Sequence, residues 1–319
     1  MSRTMQHINL ACMGPLMGGT LESTQKKATQ QRLHVRLGCH ARRLSRWRCA
    51  SECFVRIVVV SPHRDDAAFS LGLSIEHWLQ SGHRVEVLNC FTQSEYAPYS
   101  DVASVHTNDR RSFVSAVRRR EDEAWNKLLG RKLKITDLDL LDAPLRLACS
   151  LDEVQHLEMR AGDRALSRVA GALRKIATKS DAKEVAILVP LAVGGHIDHR
   201  ITRQAAVEAL AETLLPVAFY EDLPPAASAA AGDEVGSLAA ALNSFQPRPA
   251  FTQEPAKDVA HNLRRKHRFA ECYDSQVDEA VARQIADFCE RYEGRERLWV
   301  NQAWPANLLE GSAADIKAE

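Results

Sequence analysis

One stretch of the chain constrains the fold more than any other. Residues 55–60 form a mainly apolar, β-branched run of strand length, and such a run is typical of a parallel strand covered on both faces. The polar residues Ser-Pro-His-Arg-Asp-Asp follow at 61–66, and helix-compatible spacing follows at 67–80. Open α/β sheets bind their ligands at the carboxyl ends of strands. We therefore expect the loop at 61–66 to carry function.

Strand-like and helix-like segments alternate along the rest of the chain. This alternation predicts a Rossmann-like α/β fold, a mostly parallel sheet with helices on both faces, in a single catalytic domain. The predicted strands are Val55–Val60, His83–Phe91, Ile135–Leu141, Glu184–Val189 and Pro216–Tyr220. The predicted helices are Ala67–Gln80, Ser112–Leu129, Leu151–Lys179, Ile201–Leu214, Asp258–Tyr273 and Gln276–Tyr292.

The two ends of the chain differ from its centre. Residues 1–50 hold nine Lys or Arg against the single acid Glu22. For 1–53 the sequence is compatible with a disordered basic tail, an Arg-rich targeting segment, or translation from upstream of the natural start, and we favour the tail. The catalytic domain is expected at 54–300, with an Ala-rich mobile insertion at 224–250, and a C-terminal tail at 301–319.

Charge and cysteine usage limit the partners. The formal net charge is +1, which gives no reason to expect nucleic acid. Eight cysteines are scattered without a CxxC pair, a pattern typical of reduced thiols in a cytoplasmic protein. No apolar run approaches the roughly 18 residues of a membrane span. We expect a small-molecule partner, and the oligomeric state does not follow from the sequence.

Two clusters of polar residues follow predicted buried strands. His63 and Asp66 lie in the first, and His199 lies in the second, Gly-Gly-His-Ile-Asp-His at 194–199. Two imidazoles and one carboxylate suit Zn²⁺, with Fe²⁺ as the alternative, and three protein ligands leave a position open for water. Each cluster alone is also compatible with a capped helix N-terminus. Because a parallel sheet brings both strand ends to one edge, we favour a metal site.

The residues beside these ligands have the types that hydrolysis requires. Asp65 is expected to accept a proton from water, and His196 to stabilise an oxyanion or protonate a leaving amine. Asp198 is expected to orient a histidine from behind.

The two motifs together resemble the N-acetylglucosaminyl deacetylase family of LmbE-like and PIG-L enzymes. The similarity runs from about Arg56 to Tyr220 and extends to Phe-Tyr-Glu-Asp-Leu-Pro at 219–224 and to the segment Lys266–Gln276. It implies zinc-dependent removal of an N-acetyl group from an amino sugar or glycosylated molecule. It also implies the same assignment of ligands (His63, Asp66, His199), base (Asp65) and oxyanion partner (His196).

The chain departs from the usual family motif at Arg64, where Pro is common, and at Ala67, where Glu is common. We expect Arg64 to add charge near the pocket mouth. The other expected substrate contacts are Arg119, Arg120 and Asp142, although a solvated helix face or a loop cap explains them equally well.

Two other classes of protein remain as alternatives. One is a non-catalytic sugar- or metal-binding member of the same fold. The other is a nucleotide-binding Rossmann enzyme, which requires a glycine-rich turn after the first strand, and Ser-Pro-His-Arg-Asp-Asp contains none.

Overall fold

The computed structural model describes residues 54–160, 162–181, 184–228 and 231–309. Within them, a sheet of seven strands lies among helices. The strands are β1 (Arg56–Ser61), β2 (Arg84–Asn89), β3 (Lys134–Asp137), β4 (Val185–Pro190), β5 (Val217–Tyr220), β6 (Arg248–Phe251) and β7 (Arg297–Val300). The α-helices are α1 (Asp66–Gln80), α2 (Thr107–Leu128), α3 (Ala143–Leu147), α4 (Arg164–Thr178), α5 (Ile197–Leu210), α6 (Ala231–Ala240), α7 (Val259–Ala270) and α8 (Glu279–Asp287).

The sheet order is β3-β2-β1-β4-β5-β7-β6, and the first five strands are parallel. This confirms the predicted fold class. Strand β1 pairs with β2 on one side and with β4 on the other, and Val59 lies opposite Leu188 of β4. The strand order therefore reverses between β1 and β4. The loops that follow these two strands emerge side by side at that point, which is where open α/β sheets place their sites.

The two central strands are buried as their sequences indicate. All six residues of β4 are buried, and Ile57–Val60 of β1 have no exposed surface. These four β-branched side chains pack against both faces of the sheet, and the packing fixes the position of β1 in the core. The loop at 61–66 consequently starts from a rigid base.

The region before α4 differs from its prediction. Helical spacing was expected from 151 to 179, but the helix begins only at Arg164. Gly162 has a φ of 85°, a left-handed conformation that favours glycine, and the Asp163 side chain accepts a hydrogen bond from Ala165 N at 2.8 Å. A turn and a capped helix start therefore end the pattern early. Residues 151–156 instead form turns beside the cavity described below.

Strands β6 and β7, at one edge of the sheet, were not predicted. Strand β7 pairs antiparallel with β5 and with β6, and the two added strands have four residues each. Segment 224–250 contains the predicted short helix, α6, and the start of β6. Its mobility stays a prediction. The predicted extension at 1–53 and residues 310–319 of the predicted tail lie outside the described residues, and no helix in the described part is long and apolar enough to cross a membrane.

Candidate active site

The loops after β1 and β4 bring three potential metal-ligating atoms together. His63 Nδ1 lies 3.3 Å from His199 Nε2, Asp66 Oδ2 lies 3.4 Å from His63 Nδ1, and Asp66 Oδ2 lies 3.3 Å from His199 Nε2. We call these three atoms the ligand triangle. Zinc bonds of 2.0–2.1 Å in a tetrahedron place neighbouring ligand atoms roughly 3.3–3.4 Å apart. The residues predicted as ligands therefore fit a tetrahedral zinc ion, with one corner left for water or substrate.

The side chains of Asp65 and Asp66 are free to face the site, because Ser61 accepts the hydrogen bond from the first turn of α1. Ala67 N, in the first turn of α1, donates to Ser61 Oγ at 3.1 Å, and Asp65 makes no side-chain cap. Asp66 Oδ2 instead accepts a hydrogen bond from His63 N at 2.7 Å, which holds the loop in a tight turn. Neither carboxylate is used as a conventional helix cap, the alternative left open by the sequence.

Asp198 holds His63 from behind, as predicted for a residue that orients a ligand. Its Oδ2 lies 3.2 Å from His63 Nε2 and accepts from Ala143 N at 2.9 Å, while its Oδ1 accepts from Arg146 at 2.7 Å. The Asp198 side chain is fully buried. Since Nε2 of His63 faces this carboxylate, its Nδ1 is turned toward the triangle.

Asp222 does the same for His199, and the sequence reasoning missed it. Its Oδ1 lies 2.6 Å from His199 Nδ1, and its Oδ2 accepts from Val193 N at 3.0 Å. Asp222 follows β5 directly, at the same edge of the sheet as the two loops. Its position after a buried strand was the available signal, together with the Phe-Tyr-Glu-Asp-Leu-Pro segment.

The electrostatics of the triangle reflect the crowding of these groups. Burial disfavours a charged His63, but its hydrogen bonds with Asp198 and Asp66 outweigh burial and raise its pKa to about 10. Burial likewise opposes ionisation of Asp66, yet the neighbouring His199 and His63 hold the pKa of that carboxyl below its usual range. A cation is therefore stabilised between these side chains, and a bound metal would replace a proton in that role.

His196 lies against the triangle but is arranged differently. Its ring centroid lies 5.0 Å from that of His63 and 5.4 Å from that of His199. Its Nδ1 accepts a hydrogen bond from Asp198 N at 3.2 Å, so in the neutral ring Nε2 carries the proton. Burial and the nearby His63 and His199 lower the pKa of His196 to about 3. A neutral imidazole of this tautomer can donate a hydrogen bond to a developing oxyanion.

A ring nitrogen of His196 also lies within 4.8 Å of a ring nitrogen of His63 and of His199, so the three histidines form an alternative set of ligands. We favour Asp66 over His196 as the third ligand. The Asp66 oxygen completes a triangle with edges of tetrahedral length.

Asp65, the predicted base, faces the same cavity and is held by an arginine that we did not select from the sequence. Arg118 donates to Asp65 Oδ1 at 2.8 Å, and its side chain is buried. Among the described residues, no hydrogen bond holds the other oxygen of Asp65. That oxygen is therefore available to accept a proton.

These groups line a cavity of about 380 Å³. Its volume lies within the range of small-molecule sites, roughly 300–1,000 Å³. Apolar and aromatic side chains form much of the wall, which also includes Asp142 and Gln276. The apolar and aromatic members are Phe69, Tyr96, Pro144, Leu151, Val154, Val193, Leu223, Pro224, Pro225, Val277 and Val281.

Three of the predicted substrate contacts are wrong. Arg64 does not lie at the cavity mouth, because its side chain runs behind the loop and pairs with the buried Asp122 and the half-buried Asp137. Arg119 and Arg120 are exposed on α2 and do not line the cavity, because successive helix residues point about 100° apart and only Arg118 faces inward. Asp142 does line the cavity and also caps α3 by accepting from Leu145 N at 3.2 Å.

Comparison with known proteins agrees with this geometry. The family described as PIG-L, GlcNAc-PI de-N-acetylase, matches residues 58–210, which include both loops of the site. This segment is therefore similar to the PIG-L family. The predicted class of protein, a metal-dependent N-deacetylase, is thereby confirmed, whereas the roles of individual residues stay predictions.

Proteins similar to this chain include several deacetylases. The 2'-N-acetylparomamine deacetylase of Streptomyces fradiae is 29% identical over 248 residues, which cover 76% of this chain and 81% of that protein. The solved structure of a zinc-inhibited form of teicoplanin deacetylase Orf2 has a TM-score of 0.54 and 22% identity over 77% of this chain and 97% of that one. The N,N'-diacetylchitobiose deacetylase of Pyrococcus horikoshii has a TM-score of 0.50 and 17% identity over 89% and 96%. These two structures share the fold.

Proposed function

We propose that this protein uses zinc to hydrolyse the N-acetyl group of an amino sugar within a small glycosylated molecule. The observation that carries the proposal is the ligand triangle, whose three edges of 3.3–3.4 Å fit one tetrahedral ion beside a carboxylate and a neutral imidazole. The triangle and both of these groups border the same cavity. Ligands, base and oxyanion donor are therefore available to one substrate.

In the proposed mechanism, His63, Asp66 and His199 would hold a zinc ion, which would supply the Lewis acidity needed to activate water and polarise the acetyl carbonyl. Asp65 accepts the proton released as water adds to the carbonyl carbon. Arg118 keeps the Asp65 carboxylate in place through its 2.8 Å hydrogen bond. His196 donates from Nε2 to the oxygen that becomes negative. The C–N bond then breaks, the proton passes from Asp65 to the amine, and acetate and a free amino sugar leave.

The cavity supports a substrate of one or two rings near the reacting group. Its volume is about 380 Å³, and Tyr96, Leu151 and Pro224 offer apolar surface for a sugar or cyclitol face. Asp142 can accept hydrogen bonds from hydroxyl or ammonium groups of such a ring. The paromamine-type relative acts on a compound of this kind. We accordingly propose an acetylated amino-sugar compound of about disaccharide size.

Nucleotide binding finds no support at this site. The loop after β1 contains no glycine, and two carboxylates, Asp65 and Asp66, face the cavity where a dinucleotide-binding protein presents backbone N–H groups to a pyrophosphate. The negative charge of these carboxylates opposes a phosphate. Partners other than a small molecule are therefore not proposed.

The cellular location is also a proposal. Cys90 and Cys289 are buried free thiols, and Cys149 and Cys272 are partly buried free thiols. Free thiols of this kind are typical of proteins in a reducing compartment, which supports the cytoplasm.

Acetate release tests the proposed function directly. The purified full chain, stripped of metal and reloaded with Zn²⁺ or Fe²⁺, would be assayed for acetate and free amine on N-acetylglucosamine, N,N'-diacetylchitobiose and N-acetylated pseudodisaccharides. We expect turnover that is highest on the two-ring compounds, lost with a chelator and restored by metal. Stoichiometric zinc binding without acetate release from any acetamido sugar would favour a non-catalytic metal-binding protein.

A further inference from the structure

The loop at 61–66 has a buried side that the proposed reaction does not use. His63, Asp65 and Asp66 border the cavity, whereas Arg64 does not and is only 2% exposed. Burying a guanidinium is costly unless its charge is paired; among the described residues, Nη1 and Nη2 of Arg64 have carboxylate partners, whereas Nε has none. The partners of Arg64 therefore show what this side of the loop does.

Arg64 joins two carboxylates on separate elements. Its Nη1 donates to Asp122 Oδ2 of α2 at 2.5 Å, and its Nη2 donates to Asp137 Oδ2 at the end of β3 at 2.6 Å. Each bond is charge-assisted, and the planar guanidinium holds both at a fixed angle. One side chain thus links the loop to a helix and a strand at once.

Two further residues complete this network. Asn89 Nδ2, at the end of β2, lies 3.2 Å from Asp122 Oδ2 and 3.2 Å from Asp137 Oδ1. Tyr273, just after α7, donates to Asp122 Oδ1 at 2.9 Å. Neighbours other than Arg64 therefore hold both carboxylates in place, so the binding site for the guanidinium is preorganised.

The other side-chain bonds of the loop are either local, such as Ala67 N to Ser61 Oγ, or hold residues that border the cavity, such as Arg118 to Asp65 and Asp198 to His63. The cavity-side groups are the ones that substrate and metal would engage. The geometry points to Arg64 as a positioning residue that holds the 61–66 loop from behind, so that His63 and Asp66 are prearranged for zinc and Asp65 for proton transfer. This inference rests on the proposed function.

Two substitutions separate the geometry of Arg64 from its charge. Arg64→Lys keeps a positive charge near Asp122 and Asp137 but cannot bond both as a rigid fork. Arg64→Met removes the charge, and Arg64→Met with Asp122→Asn and Asp137→Asn removes the unpaired carboxylates as well. Arg265→Met is the matched control, because Arg265 makes a bidentate pair with Glu76, away from the loop.

Hydrogen–deuterium exchange of the metal-free full chain reports on the loop without any reaction. In peptides covering 61–67, we expect exchange to be about tenfold faster in Arg64→Lys than in the wild type. We expect its zinc affinity, measured by competition with a chromophoric chelator, to fall by about 10–100-fold, the range typical of residues that support metal ligands. The triple variant should regain thermal stability relative to Arg64→Met while keeping the weak zinc binding.

The outcomes distinguish this inference from a general effect on stability. If Arg64→Lys and the triple variant exchange and bind zinc as the wild type does, or if Arg265→Met weakens zinc binding equally, the positioning role is overturned. It is also overturned if no Arg64 variant folds, because Arg64 would then support the whole domain. A wild-type chain that binds no zinc would instead refute the proposed function, and this inference with it.

Discussion

Two clusters of buried ionisable groups in this protein differ in their balance of hydrogen-bond donors and acceptors. At Glu296, one carboxylate accepts hydrogen bonds from the backbone N–H groups of Leu73 and Ser74 and from the Lys266 ammonium, and both oxygens are bonded. In the ligand triangle, atoms that accept hydrogen bonds when both rings are neutral face one another at 3.3–3.4 Å. The Glu296 cluster balances its donors and acceptors, whereas the triangle has an excess of acceptors beside a cavity. That excess, rather than burial, marks a cation site.

The arrangement behind the triangle produces this imbalance. His63 Nε2 faces Asp198 and His199 Nδ1 faces Asp222, so each neutral ring turns its lone pair toward the triangle. Lys266 differs, because its ammonium is itself a donor and bonds to Glu296. The comparison therefore predicts that substitutions at the triangle affect metal first, and that substitutions at Glu296 or Lys266 affect folding first.

The largest effect on deacetylation is expected for His199→Ala. Removing one of three ligands leaves Asp66 and His63 unable to hold zinc, so metal content and activity should be lost together. Metal analysis of the purified protein and acetate release check this. His261→Ala, which removes an exposed histidine on α7, should change neither. Full zinc occupancy in His199→Ala would contradict the assignment of the ligand triangle.

Asp65→Asn should separate chemistry from metal binding. The amide keeps the size of the side chain but cannot accept the proton of water, so kcat should fall by about 10²–10⁴-fold, the usual contribution of a general base. Zinc affinity should change little, since Asp65 is outside the triangle. Steady-state kinetics at saturating substrate and a chelator competition measure the two effects. Equal losses of zinc and kcat would mean that Asp65 acts as a ligand.

Asp222→Asn is expected to have an intermediate effect. The amide can still contact His199 Nδ1 but no longer carries the charge that orients and polarises the ring. Zinc affinity should fall by about 10–100-fold, and added zinc should recover most of kcat. Kinetics over a zinc titration test this, and a kcat that stays low at saturating zinc would place Asp222 in the reaction instead.

Lys266→Met should have the smallest effect on activity. Glu296 would lose its cationic partner in a fully buried site, and removing one partner of a buried pair costs about 3–5 kcal/mol of stability. Urea unfolding measures this loss. Below the unfolding transition, zinc affinity and kcat per folded molecule should match the wild type. A changed zinc affinity in Lys266→Met would show that the Glu296 cluster and the ligand triangle are coupled, contrary to the comparison.

The sequence was most informative where buried strands lead into polar loops. The apolar runs of β1 and β4 alone predict that His63, Asp66 and His199 lie at one sheet edge, and the parallel pairing of the two strands agrees. Strands β6 and β7 were not predicted, because each has only four residues with no more than two of them buried, and such short strands carry little hydrophobic signal. Asp222 followed a strand that was predicted, and this position indicated the site but not the contact with His199.

The direction of a side chain could not be predicted from the sequence for Arg64 and for the run Arg118–Arg120. In the run Arg118–Arg120, composition cannot tell which arginine faces the cavity, since the answer depends on the rotation of α2 about its axis. In the 61–66 loop, Arg64 lies between residues that face the cavity but turns the opposite way. Both errors arose because spacing along the chain defines neighbours, while the path of the backbone decides what each neighbour contacts.

The three bonds of Asp198 link substrate selection to metal retention. The same carboxylate holds His63, the first backbone N–H of α3 and Arg146, and Pro144 of α3 forms part of the cavity wall. Exchanging α3 with that of a relative in order to accept a bulkier sugar would therefore shift the imidazole as well. Engineering of specificity in this scaffold has to be selected under zinc limitation, since a variant screened only in excess zinc would conceal the lost affinity.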